Sequence, residues 1–129
     1  MEVEMLADKG AMATIAVKNL PVAKKFYGDT LGLKEVGGEE AGVATYKSGN
    51  STIVVYESQF AGTNKATSAT WGVGGELDSI VETLKKRHVP FEHYDLPGLK
   101  LKGDIHVMGD FKAAWFKDPD GNILHINNM

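Results

Sequence analysis

The chain has 129 residues, 43% hydrophobic and 24% charged, the make-up of one globular domain with enough apolar side chains for a real core. A net charge of −3 and a pI near 5.8 leave no electrostatic footprint for nucleic acid. The absence of cysteine removes disulfides, thiolate metal sites and thiol nucleophiles together.

The first residues, Met1-Glu2-Val3-Glu4-Met5-Leu6-Ala7-Asp8-Lys9, are acidic and read as a short tail or an extra strand. They lack the apolar region of a secretory signal, and no apolar run approaches the roughly 20 residues that cross a bilayer. The expectation is a cytoplasmic protein with neither membrane nor nucleic acid as partner. Residues 11–18 alternate as a strand. Asn19 then fits a helix N-cap, accepting from the amide of Val22, with Pro21 in the first turn where its missing N–H costs nothing. Val22, Ala23, Phe26, Tyr27 and Leu31 form an apolar helical stripe that Gly32 ends. Short strands are expected near 33–37, 42–48 and 51–57, the last two joined by the turn Ser48-Gly49-Asn50.

Residues 58–66 form a polar connection. A strand follows over 67–73, then a helix whose buried stripe is Leu77, Ile80, Val81 and Leu84. Its basic end, Lys85-Lys86-Arg87-His88, complements the helix dipole and needs no phosphate to explain it. Strands are expected near 90–94, 105–107, 111–117 and 122–127, with residues 95–104 as a loop or lid. Asp118-Pro119-Asp120-Gly121-Asn122 makes the final turn. Gly72-Val73-Gly74-Gly75 precedes the second helix, but Leu77 stands where a dinucleotide loop has its third glycine, so these glycines read as a bulge and helix start.

The order is written twice. The separation from Val17 to Leu33 equals that from Val73 to Val89, and Ala44-Thr45-Tyr46-Lys47 before Ile53 is echoed by Ala114-Trp115-Phe116-Lys117 before Ile123. A duplicated strand–helix–strands unit implies two modules with a ligand-sized surface between them.

Three segments, Val17-Lys18-Asn19-Leu20, Phe26-Tyr27-Gly28-Asp29-Thr30-Leu31-Gly32-Leu33 and Asp118-Pro119-Asp120-Gly121-Asn122-Ile123-Leu124, closely resemble the vicinal oxygen chelate superfamily of glyoxalases, bleomycin-resistance proteins and extradiol dioxygenases. The resemblance implies an α+β fold in a single domain. Module one would span about 10–57, the connection 58–66 and module two about 67–128, as paired βαβββ modules whose curled mixed sheets surround a ligand cup, usually as a homodimer. It implies no single reaction, because the scaffold hosts lyases, isomerases, oxygenases and plain binders.

Enzymes of that family hold a divalent metal through His and Glu on the first and last strand of each module. Mapped by motif, those positions are Met12, Ser68 (or Ala69), Val54 or Val55, and His125. One imidazole among a thioether, a hydroxyl and an isopropyl group does not suit such a cation, so no metal is expected. The leading expectation is therefore a metal-independent binder of a small molecule, as in drug-sequestering relatives. Its cup would be lined by Met12, Thr14, Val55, Glu57, Ser68, His106, Trp115 and His125, with His125 the best candidate for any catalysis. The competing expectation is a glyoxalase-like lyase or isomerase whose shifted site, His125, Glu57 and His106, takes Zn, Ni, Fe or Mn. Among the aromatics Tyr46, Tyr56, Trp71, Trp115 and Phe116, strand alternation sends about half to the core. Trp115 is expected in the pocket and Trp71 beneath the second helix. His88 and His93 read as surface residues, and His106 as an exposed loop histidine unless the lid brings it to a ligand.

Overall fold

The structure, a computed structural model of the chain, describes residues 6–7, 9–37 and 42–129. Of the expected N-terminal tail or strand over residues 1–9, residues 1–5 and 8 lie outside the described residues, and Leu6, Ala7 and Lys9 are in no strand. Module one comprises β1 (Ala13–Val17), α1 (Leu20–Lys24) running into a π-helical stretch at Lys25–Thr30, β2 (Lys34–Gly37), β3 (Val43–Ser48) and β4 (Ser51–Glu57). Its sheet runs β1-β4-β3-β2, with β1 parallel to β4 and the others antiparallel. The Asn19 side chain accepts from the Val22 amide at 3.1 Å, as its N-cap position predicts, and Gly32 ends the helix at φ 77°. The π-helical widening was not legible, because helical periodicity does not distinguish one extra residue per turn.

Module two repeats the order with an insertion. It contains β5 (Thr67–Gly72), a 3₁₀ turn at Gly74–Glu76, α2 (Leu77–Lys86), β6 (Phe91–Glu92), β7 (Lys100–Lys102), β8 (Ile105–Met108), β9 (Phe111–Lys117) and β10 (Ile123–Asn127). Its sheet runs β5-β10-β9-β8-β7, with β5 parallel to β10. β6 and β8 share one edge of β9: β6 pairs with Phe116 and Trp115, and β8 with Ala113, Lys112 and Phe111. The expected loop at 95–104 is thus an excursion that carries β7 and returns through β8. Among the described residues, two mixed sheets with few helices give the expected α+β, βαβββ architecture, without a closed barrel.

Both helices cover one face of their sheets. Ile15, Val17, Tyr46, Ile53 and Val55 from sheet one meet Ala23 and Tyr27 of the first helical segment. Leu77, Val81 and Leu84 of α2 join the same cluster with Phe116, Leu124 and Ile126 of sheet two. Burial of each large side chain contributes about 1.5–3 kcal/mol, so this common core is what holds the modules together.

Polar bonds fix how they meet. Asp118, buried in the final turn, accepts from the Tyr27 hydroxyl at 2.8 Å, the Asn122 side chain at 2.8 Å, and the amides of Asp120 and Asn122 at 2.9 and 2.8 Å. Asn122 also donates to the Ala16 carbonyl at 2.7 Å, and Asp120 accepts from the Lys18 amide at 3.0 Å. The Asp-Pro-Asp-Gly-Asn turn is therefore a clasp on module one rather than a chemical site. The connection passes beneath it: Gly62, at φ 74°, lies so close that a Cβ there would run into the Asp120 carbonyl. At the other end, the Arg87 guanidinium donates to the carbonyls of Asp29 and Thr30.

Candidate functional site

With one face of each sheet covered by helices, strand alternation leaves the other free for a ligand. Register decides which residues it carries. In module one, Thr14 stands beside Val54, and Ala16 beside Tyr56. In module two, His125 stands between Thr70 on β5 and Trp115 on β9, with Asn127 opposite Ala113 and His106 next in line on β8.

The module-two face holds the densest chemistry. Trp115 and His125 stack at a centroid separation of 4.3 Å and 25°, and His106 meets the other side of Trp115 edge-on at 4.9 Å. Tyr94 completes the group, edge-on to Trp115 at 5.6 Å and stacked on His106. His125 Nδ1 lies 3.1 Å from the Ala114 carbonyl and so carries the proton, leaving Nε2 to accept from the Asn127 amide at 3.2 Å. Burial pushes the His125 pKa below its ordinary value; the bond to the Ala114 carbonyl opposes this, and nearby His106 adds to it. The imidazole is thus held neutral, as one element of an aromatic platform.

His106 is fully buried on β8 rather than exposed on a loop. Its Nε2 accepts from the Tyr94 amide at 3.0 Å, which puts the proton on Nδ1. Among the described residues, that Nδ1 and the Tyr94 hydroxyl are both buried without a partner. Each is a donor left over beside the aromatic platform, and an oxygen atom of a water or ligand that reached it would stabilise the site.

The structure corrects three expected lining residues. Val55 faces the helices and is fully buried, because its partner in β1 is Ile15; Val54, one residue earlier, holds the free face. Glu57 shares the phase of Val55, and its carboxylate accepts from the Leu20 amide at 3.2 Å, capping the start of α1. Ser68 is the extra residue of a β-bulge, between Thr67 paired with Ile123 and Ala69 paired with Leu124, so Thr70 takes the place beside His125. Thr14 lies exposed on the free face, and Met12, also exposed, directly precedes β1. Among the aromatics, Tyr46, Trp71 and Phe116 share the helix-covered face, while Tyr56 and Trp115 share the free one. His88 and His93 are exposed, the latter 2.7 Å from Asp104. Asn127 was missed, although its place two residues after His125 marks it for the same face. Nothing local in the sequence marks Tyr94.

The profile of the Glyoxalase/Bleomycin resistance protein/Dioxygenase superfamily matches residues 10–126. The chain belongs to that superfamily. Among solved structures, the glyoxalase family protein from Enterococcus faecalis superimposes with a TM-score of 0.72 at 18% identity, over 95% of this chain and 99% of that one. Lactoylglutathione lyase from Agrobacterium tumefaciens gives 0.69 at 17%, over 93% and 92%. A fosfomycin resistance protein from Mesorhizobium loti gives 0.69 at 11%, over 97% and 94%. At such identities these likenesses concern the fold alone. A comparison with curated proteins finds no match.

The metal that superfamily membership suggests can be tested against the donors present. At and beside the positions that correspond to the family's metal ligands stand Met12, Thr14, Val54, Ser68, Thr70 and His125, a set with one imidazole and no carboxylate. A divalent cation asks for three or four nitrogen or carboxylate ligands, and this set does not fit it. The shifted trio of His125, His106 and Glu57 is not assembled either, because Glu57 lies on the opposite face of the other sheet and His106 turns Nε2 to the Tyr94 amide. Among the described residues, no group of three or more His, Asp or Glu converges as a metal site.

Proposed function

We propose that this member of the superfamily is a small-molecule-binding protein that works without a metal and takes a planar, partly polar ligand on the Trp115–His125 platform. The observation that carries the reading is the stacked indole–imidazole pair, half-open at Trp115, on a face whose donor set is unsuited to a cation. A planar ligand would extend the stack. Both His125 nitrogens are engaged within the chain, so the imidazole offers its ring face. The second N–H of the Asn127 side chain would supply a polar contact, and the His106 Nδ1 and Tyr94 hydroxyl would favour an oxygen close by.

The cup is completed by a second copy. Thr14, Val54 and Tyr56 on the free face of module one are half-open or exposed, an apolar sheet face that a partner chain would cover. The acidic, cysteine-free composition suits the cytoplasm.

Native mass spectrometry of freshly purified protein tests all of this together. The expected species is a dimer of the 13.9 kDa chain carrying a small organic mass that Trp115→Leu abolishes while circular dichroism keeps the folded signature. Stoichiometric divalent metal that is lost in His125→Ala would overturn the metal-free reading in favour of a glyoxalase-like enzyme.

A further inference from the structure

One mostly apolar opening of the molecule lies away from the free face. It is a crevice of about 290 Å³ on the helix-covered side, where the two modules meet. Phe116 and Ile126 form its floor, Leu31 and Leu33 line the module-one wall, and Trp71 and Ile80 line the module-two wall. Phe116 and Ile126 alternate with Trp115 and His125 along β9 and β10, so the sheet itself separates the crevice from the platform.

Three features distinguish the crevice from a packing gap. First, four large apolar walls (Leu31, Leu33, Trp71 and Ile80) remain only half-buried, although each is packed against the core cluster. Each square ångström left wet forgoes about 25 cal/mol, a standing drive for an apolar guest. Second, the walls are tied across the module boundary: Trp71 Nε1 donates to Ser48 Oγ at 2.8 Å, which fixes the opening and leaves the serine hydroxyl proton free to point at a guest. Third, Lys47 borders the crevice, and among the described residues no carboxylate pairs with its ammonium, whereas Lys24, Lys85, Lys112 and Lys117 each have one.

We infer that this crevice is a second binding site, independent of the platform, for a compact amphiphile with an apolar body and an anionic end. The body lies between the module-one leucines and Trp71. The anion reaches Lys47 and the Ser48 hydroxyl at the β3–β4 turn. Because the walls come from both modules, the guest also bridges them, and occupancy raises the stability of the module interface.

Octanoate and octanol serve as probes, the second being the first without its charge. Calorimetric titration of the wild-type chain should show saturable binding of both. Emission from Trp71, the remaining tryptophan in Trp115→Phe, should shift with the same midpoint. Lys47→Gln should weaken octanoate about two- to five-fold, the range of one exposed ion pair, and leave octanol unchanged. Filling the crevice with Ile80→Phe or, independently, with Val73→Phe at a further lining residue should weaken both probes at least about ten-fold in chains that keep the wild-type circular dichroism spectrum. Absence of saturable binding, binding indifferent to both filling variants, or binding lost in Trp115→Phe overturns the site. Equal effects of Lys47→Gln on the two probes overturn its anionic character. None of these outcomes touches the platform reading, whose signature is the native mass of the Trp115→Leu protein.

Discussion

Replacement of Asp118 by alanine tests the claim that the final turn is a clasp between modules. The carboxylate is 4% exposed and accepts four hydrogen bonds, of 2.8 to 2.9 Å. Alanine leaves the buried Tyr27 hydroxyl and the Asn122 amide without acceptors, each costing about 1–3 kcal/mol; the more open Asp120 amide can turn to water. The Asn122 side chain keeps its bond to the Ala16 carbonyl and adds little. The expected loss is therefore about 3–5 kcal/mol, a large part of the 5–15 kcal/mol that holds an ordinary domain. Urea titration followed by circular dichroism reads it as a midpoint lowered by about 2 M, for a slope near 2 kcal/mol per molar. Tyr27→Phe alone should cost about 1–2 kcal/mol. In the double variant the orphaned hydroxyl is gone, so the combined loss should fall short of the sum by about 1–2 kcal/mol. A loss below about 1 kcal/mol in Asp118→Ala, or additivity within about 0.3 kcal/mol, would refute the clasp.

Gly62→Ala places a methyl group against the Asp120 carbonyl at a φ of 74°, so thermal unfolding should register a loss of about 3 kcal/mol from clash and backbone strain combined. The His125 pKa is depressed on folding, so the unfolded chain binds the proton first as pH falls. The stability His125 contributes is complete above its ordinary value of 6.5 and drains away below it, by no more than about 1.4 kcal/mol per pH unit. Urea midpoints at pH 7.5 and 5.5 should differ less in His125→Asn than in the wild-type chain; an unchanged difference would mean that the imidazole is not held neutral.

The fold was legible because its signals are local. An asparagine before a proline-bearing turn caps α1 through its own side chain, and a glycine that tolerates positive φ ends the helical segment that follows. The same module order appears twice, with matched spacing. Departures arose where the backbone uses a feature with no periodic signature: the π-helical stretch after α1 and the short β7 inside a glycine- and proline-marked excursion. The candidate site was legible in part. His125 follows from its spacing after Gly121 and Trp115 from strand alternation among the aromatics, whereas His106 lies in a strand too short, between Gly103 and Gly109, to show a period.

Sequence alone determined the element order, the duplication, the superfamily signature and the residue types at the mapped ligand positions, Met12, Ser68, Val54 and His125, since each depends on residue types and their spacing. Tertiary structure decided which side of each sheet a residue serves. A strand repeats every two residues, so a one-residue error of phase exchanges the ligand face for the core, as it does between Val54 and Val55. Only the pairing of Ile15 with Val55, the bulge at Ser68 and the α1 backbone above Glu57 set that phase, because each depends on a strand or helix distant in sequence.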